Sequence, residues 1–189
     1  MIAAHAVGVE RDTARAVIEA NHYTKSVPSG KSVYILYGPV IVVFSIPANK
    51  NISRWLLGRD NVVWELSRLW APDSHAPNLL TQALCATTRL FRTMHPEVEA
   101  LVSYADPNVG HLGGVYRAAS WKHLGQCEEN RAYRSASGAV VSRRAFHSGK
   151  KALRRAEIEA LGFVQLKLPG KHRFAKGLTR RAKKQIASR

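Results

Sequence analysis

Residues 103 to 121 read SYADPNVGHLGGVYRAASW, placing a carboxylate (Asp106), an imidazole (His111) and a phenol (Tyr116) on one glycine-rich turn that leads into a helix. These are the side-chain types that move protons. The strand-like SYAD delivers Asp106 to its own C-terminal end, the crevice where ligands of open α/β sheets sit. Asp106 therefore suits a base or a hydrogen-bond acceptor. Its Pro-Asn context equally suits an Asx turn capping the GHLGG helix, and the two roles are compatible. Tyr116 can donate a proton or orient a second substrate; burial in the core accounts for it nearly as well.

Two further stretches carry chemistry. In NHYTKSVPSGK, His22 and Tyr23 follow a first helix, and Ser26, Ser29 and Gly30 make a loop able to close over a site. In WELSRLW, strict alternation sets Glu65 and Arg68 on opposite faces of a strand between Trp64 and Trp70. Arg68 suits a phosphate or carboxylate, or an ion pair with Glu65 or Asp73. His22 and Tyr23 suit metal ligation or base stacking, but His22, His75 and His111 have no metal-site spacing.

Those stretches need a scaffold, and composition bounds it. The chain has 189 residues, 46% of them hydrophobic, enough for one compact domain. Cys85 and Cys127 lack pairing or zinc-ligand spacing and read as small core residues of a reducing cytoplasm. The longest apolar run, VYILYGPVIVVFSI, is interrupted by Gly38 and Pro39 and falls short of a membrane span. MIAAHAVGVERD lacks the basic start of a secretion signal.

Charge is the strongest compositional signal. Lys and Arg number 29 against 13 Asp and Glu, a net charge of +16, and no acid follows Glu159. Such density calls for a polyanion, and phosphate neutralisation with counterion release makes nucleic acid the simplest partner. Lys25, Arg143, Arg144, Lys150, Lys151, Arg173, Arg180 and Arg181 are the cations expected to contact double-stranded DNA. A solvated basic segment over about residues 163–189 is the plainer alternative.

Periodicity orders the elements. Residues 10–21 read as a helix capped by Asp12 or Thr13, and SVYILYG and VIVVFSIPA as a hairpin turning at Gly38-Pro39. VVWELSRLWAP is a strand ending at Pro72, and Asn78 to Met94 a long helix. ALVSYA is a buried strand and GHLGGVYRAASW a short helix. Residues 131–146 hold a late strand, and KKALRRAEIEALG a basic helix ending at Gly162.

This order resembles the core of the GNAT acyltransferases, implying an α/β fold whose central, mostly antiparallel mixed sheet is flanked by helices. In that superfamily the loop before the long helix cradles the diphosphate of acetyl-CoA on backbone N–H groups. Here the loop is APDSHAPN, in which Asp73 adds negative charge and Pro72 and Pro77 remove donors.

HYTKSVPSGK, ELSRLW and SYADPN-GH-G-VY-A--W, in this order from about residue 20 to 125, are similar to the Mom proteins of bacteriophages. That resemblance implies a DNA-modifying enzyme placing a carbamoylmethyl group on adenine N6, protecting phage DNA from host restriction in the bacterial cytoplasm. It points to His22, Tyr23, Arg68, Asp106 and Tyr116 as the catalytic set, and raises iron as a cofactor. Ser67, Asn78, Asn108, Gly110 and Tyr116 are the expected donor-binding residues, with acetyl-CoA or a related acyl donor as one candidate. Adenine N6 is a feeble nucleophile because its lone pair is delocalised, and it is hidden in the duplex, so the base must be flipped or the DNA opened. Trp64, Trp70, Tyr104 and Trp121 are the stacking candidates, at least two of them expected to be plain core. The rivals are a CoA-dependent N-acetyltransferase of a protein or small amine, and a non-catalytic nucleic-acid-binding module. Oligomeric state stays open, a dimer included.

Overall fold

The computed structural model describes residues 5–148 and 151–189. In chain order the elements are β1 (Ala6–Gly8), α1 (Arg11–Asn21), β2 (Ser32–Tyr37), β3 (Val40–Ser45), α2 (Ile52–Leu57), β4 (Val63–Trp70), α3 (Leu79–Met94), β5 (Ala100–Ala105), α4 (Gly114–Ala118), β6 (Lys122–Gln126), β7 (Asn130–Arg134), β8 (Val140–Ser142), β9 (His147–Ser148), β10 (Lys151–Ala152), α5 (Arg155–Ala160), β11 (Val164–Leu168), β12 (His172–Gly177) and α6 (Arg180–Ala187). A seven-stranded sheet runs β1-β2-β3-β4-β5-β12-β6, parallel only between β4 and β5. This is the mixed, mostly antiparallel sheet expected from the element order. No helix among the described residues is long and apolar enough to cross a membrane.

The sheet is covered on both faces, which explains why β3 is apolar at nearly every position. Val40, Val42 and Phe44 face Leu84 and Phe91 of α3 and Tyr116 of α4. Ile41 and Val43 face Ala14 and Ile18 of α1. Further along that second face, Val63, Ala100, Val102 and Ala175 pack against α2 and α6.

Several sequence expectations change. Helix α1 starts from Glu10, whose carbonyl accepts from Ala14 N at 3.1 Å, so neither Asp12 nor Thr13 caps it. The stretch 131–146 holds two strands, β7 and β8, in a small sheet ordered β11-β7-β8. The basic helix starts only at Arg155, because Lys151–Ala152 pairs with β9 and Glu157 caps the Arg154 N–H. Cys85 is exposed and Cys127 half-buried, so neither is a core residue.

The largest change concerns the basic C-terminal stretch. Strand β12 inserts between β5 and the edge strand β6 of the main sheet, with Phe174 fully buried. Lys176 on this strand keeps its charged end at polar groups while its stem packs, Nζ donating to Ala119 O at 2.7 Å. Gly113, at φ +79°, lies against this strand: a Cβ there would meet the Phe174 ring at 2.3 Å, so only glycine fits.

Candidate active site

Strands β4 and β5 pair only from Val63–Ala100 to Glu65–Val102 and then part. Where they part, the Ser103 hydroxyl bridges the Leu66 carbonyl oxygen and the Tyr116 hydroxyl, each at 2.8 Å. The separation opens a mouth between the C-terminal halves of the two strands, the position that the sequence assigned to Asp106.

On β4, the register slips between Val43–Arg68 and Phe44–Leu66, leaving Ser67 as the extra residue of a bulge. Glu65 is opposite Ser45 and Arg68 opposite Val43, so both point to the α1 face. Strict alternation had placed them on opposite faces, and the bulge is the reason they share one. Ser67 Oγ donates to Val43 O at 3.1 Å and fixes the kink. Arg68 then reaches the loop after α1, donating from Nε to Ser26 O (2.7 Å) and from Nη2 to Ser26 Oγ (3.3 Å). Burial lowers its pKa below the usual guanidinium value, countered by Tyr23 and Glu65. Arg68 thus holds the loop carrying His22 and Tyr23 over the sheet.

Tyr23 lies at the centre of this group. Its ring packs 4.5 Å from His22 and 5.3 Å from His111, yet the residue is 44% exposed. Burial of the ring raises its hydroxyl pKa, and the charges of Lys171, Asp106 and Arg68 all act on it. His22 is only 7% exposed, and its Nδ1 lies 2.9 Å from Thr24 Oγ1 and 3.2 Å from Thr24 N. Burial first, then the charges of Arg68, His111 and Lys25, push its pKa down to about 4.

A stability consequence follows with a definite sign. The unfolded chain takes up a proton at His22 near pH 6.5, the folded chain only near pH 4. The stabilising effect of a neutral His22 is present above pH 6.5 and is lost as pH falls towards 4. Urea unfolding at pH 7 and pH 4.5 is expected to show an acid loss on the order of 1–2 kcal/mol that His22→Gln removes, solvent screening having reduced the full linkage value.

Asp106 ends β5 with both carboxylate oxygens engaged. Oδ1 accepts from Asn108 N (3.0 Å) and Asn108 Nδ2 (2.8 Å), while Oδ2 lies 3.0 Å from Lys171 Nζ. Partial burial pushes its pKa up; the hydrogen bonds from Asn108 and Lys171 and the Lys171 charge outweigh that and leave it below the ordinary carboxylate value. The Asx turn is present, but it caps the short 3-10 turn Pro107–Val109 rather than α4. Asn108 also donates to Pro169 O at 3.1 Å, tying this turn to the segment before β12. Tyr116 is 8% exposed, and burial pushes its hydroxyl pKa up to about 12. It stays protonated inside the core, behind the mouth.

Lys171 is the residue that sequence reasoning missed. It is one cation among many after Glu159, and nothing in its spacing ties it to Asp106. Gly170 sets its path, since a Cβ there would lie 1.9 Å from Cys127 O.

The other expected residues are more scattered. Asn78 starts α3 with φ +63° and is exposed, and Gly110 ends the 3-10 turn at φ +79°. Ahead of α3, Pro72 and Pro77 lack N–H groups and Leu79 N is already bonded to Ala76 O at 3.2 Å, a poor fit to a diphosphate. Among the described residues no three His, Cys, Asp or Glu side chains group to hold a metal ion, so the ligand set for iron is not supported. His75 lies by its own loop, Nδ1 3.0 Å from Ala76 O.

The expected DNA cations divide. Lys25, at φ +48°, belongs to the site loop and donates to Ala20 O. Arg143 and Arg144 lie in the turn Arg143–Phe146, and Lys151 in β10; Lys150 falls outside the described residues. Arg173 is on β12, and Arg180 and Arg181 are exposed on α6. Of the stacking candidates, Trp64 packs on Phe91 and His95 and Trp121 on Tyr116, both buried. Trp70 and Tyr104 are half-buried.

A sequence model of the Mom protein family matches residues 5–189. The chain belongs to the Mom protein family. The match takes in the C-terminal stretch that the motif resemblance left out, in keeping with β12 lying inside the sheet. This Mom-family chain is 27% identical over 123 residues to the "Methylcarbamoylase mom" of Escherichia phage Mu, covering 61% of this chain and 51% of that protein. It spans about half the length of the curated relative. Among solved structures, a Bacillus subtilis acetyltransferase in complex with CoA is similar with a TM-score of 0.46 and 7% identity, over 93% of this chain and 99% of the other.

Proposed function

We propose that this chain is a phage DNA-modifying transferase that places a carbamoylmethyl-type group on adenine N6 in double-stranded DNA. The observation that carries the reading is the Asp106 carboxylate, ionised and fixed by Lys171 and Asn108 at the mouth between β4 and β5, beside the half-exposed Tyr23. The phage Mu relative is named a methylcarbamoylase, which supports transfer of a small amide-bearing group.

The chemistry asks for an acceptor at the N6 amine more than for a strong base. As the N6–carbon bond forms and the carbon–leaving-group bond breaks, the amine becomes acidic and sheds one proton. A carboxylate with a low pKa can take that proton at this stage, and before it can orient the amine through an N–H···O bond. His22, neutral above about pH 4, adds an uncharged imidazole beside Tyr23. Tyr23 offers an exposed ring on which an extruded base can stack. Arg68 holds the loop that carries both. The reading assigns the acceptor and leaves the donor to chemistry that the β4–α3 loop does not specify. Phage DNA in the host cytoplasm is its substrate, and the +16 charge supplies general affinity for it.

Plasmid DNA from bacteria expressing the chain is expected to resist restriction nucleases whose recognition sites contain adenine, while sites of guanine and cytosine alone are cut normally. Full cleavage at both kinds of site, with abundant folded protein in the cells, would overturn the reading.

A further inference from the structure

Trp55 is a feature that the site does not use. It lies on α2, 40% exposed, and two guanidinium groups gather on its ring: those of Arg173 and Arg189, each with its central carbon 4.6 Å from the ring centroid. Arg189 also donates to the Trp55 carbonyl. Two cations held on one indole repel each other. Arg173 Nε is buried without a partner, while its Nη2 meets the weak acceptor Cys127 Sγ at 3.3 Å and the guanidinium also acts on the Tyr104 hydroxyl by charge and hydrogen bonding. An anion beside the pair relieves both costs. The pair also sits close to the chemistry in the chain: Arg173 is opposite Tyr104 in the β12–β5 register, its guanidinium carbon 5.9 Å from that ring, and Tyr104 is two residues before Asp106.

We propose that Trp55, Arg173 and Arg189 form a preorganised clamp for one DNA phosphodiester next to the site. The inference rests on the DNA-acting reading above. Trp55 is a positioning residue here: cation–π contact holds both guanidinium groups where a phosphate can take donors from each, which lowers the side-chain entropy lost on binding. The ligand is the DNA backbone, so the clamp orients the strand without reading its sequence.

Fluorescence anisotropy of a labelled short duplex, titrated with the full chain at several salt concentrations, tests this. Arg189→Ala is expected to reduce the salt slope by about 1, the loss of one phosphate contact. Trp55→Ala removes no charge, yet is expected to weaken binding about 10-fold, while Trp55→Phe stays within about 2-fold of wild type. The double variant Trp55→Ala with Arg189→Ala should lose less than the two single losses combined, because both dismantle one clamp. Unchanged thermal melting of Trp55→Ala separates the effect from misfolding.

Wild-type DNA affinity with Trp55→Ala indistinguishable from it, or fully additive losses, overturns the clamp and leaves the DNA-acting reading standing. Displacement of the duplex by micromolar inorganic phosphate assigns the pair to a free anion and also overturns it. A wild-type chain that binds no duplex at low salt removes the DNA-acting reading itself.

Discussion

Asp106→Ala is expected to cut adenine modification by at least about 100-fold, the scale of losing a positioned proton acceptor. The alanine also removes an Asx turn, so Asp106→Asn is the sharper companion. Its amide oxygen can still accept from Asn108 N, the 3.0 Å bond of that turn, while the negative charge facing Lys171 is lost. If the carboxylate acts chemically, Asn matches Ala in lost activity but retains the wild-type melting temperature. If Asp106 only shapes the turn, Asn keeps most of the activity. Lys171→Met is expected to raise the Asp106 pKa towards the ordinary carboxylate value, read by carbon-13 NMR of the labelled carboxyl. The sign follows from what Lys171 does: its hydrogen bond and charge favour the ionised form, so without it protonation begins at higher pH.

Phe174→Ala is expected to have the largest effect on stability, on the order of 3–5 kcal/mol by urea denaturation. The ring is fully buried, 5.1 Å from that of Tyr116 and 4.9 Å from that of His123, and Gly113 is cut away to admit it. Neighbouring backbone turns and sheet strands are too constrained to collapse into the space. Arg181→Ala, on the exposed side of α6 in the same basic stretch, should stay within about 0.5 kcal/mol of wild type. Equal small effects from both substitutions would mean that residues 172–177 are a solvated tail after all.

The contrast between those two residues shows what the sequence could and could not disclose. The β2–β3 hairpin, β4, α3 and β5 were legible because β-branched runs and helical spacing are local signals that core burial then reinforces. Strand β12 was not. His172, Phe174 and Lys176 alternate with Arg173, Ala175 and Gly177, so Phe174 and Ala175 are the only apolar side chains inside a run of charge. Its strand character comes from pairing on both sides with β5 and β6, which is information from elsewhere in the chain.

The site divides in the same way. Asp106 at the end of SYAD, and His22-Tyr23 after the first helix, were legible as residue types at element ends. That Glu65 and Arg68 share a face was not, because a bulge adds one residue without altering composition, and here Ser67 marks it only through a hydroxyl bond to Val43 O. Lys171 was hidden by abundance, and Trp55 by standing alone in a short helix. Tyr116 shows the opposite limit: its type and position suited catalysis, while its hydroxyl is spent on Ser103 in the core.

The central claim is that adenine N6 in DNA receives the group and that Asp106 is needed for the transfer. Mass spectrometry of nucleosides digested from plasmid DNA, from cells expressing the wild-type chain or Asp106→Asn at equal soluble levels, tests it most directly. The account predicts a heavier deoxyadenosine whose fragments place a carbamoylmethyl adduct on the base amine, present with wild type and nearly absent with the variant. Unmodified deoxyadenosine from wild-type cells, or an equal adduct yield from both, would contradict it.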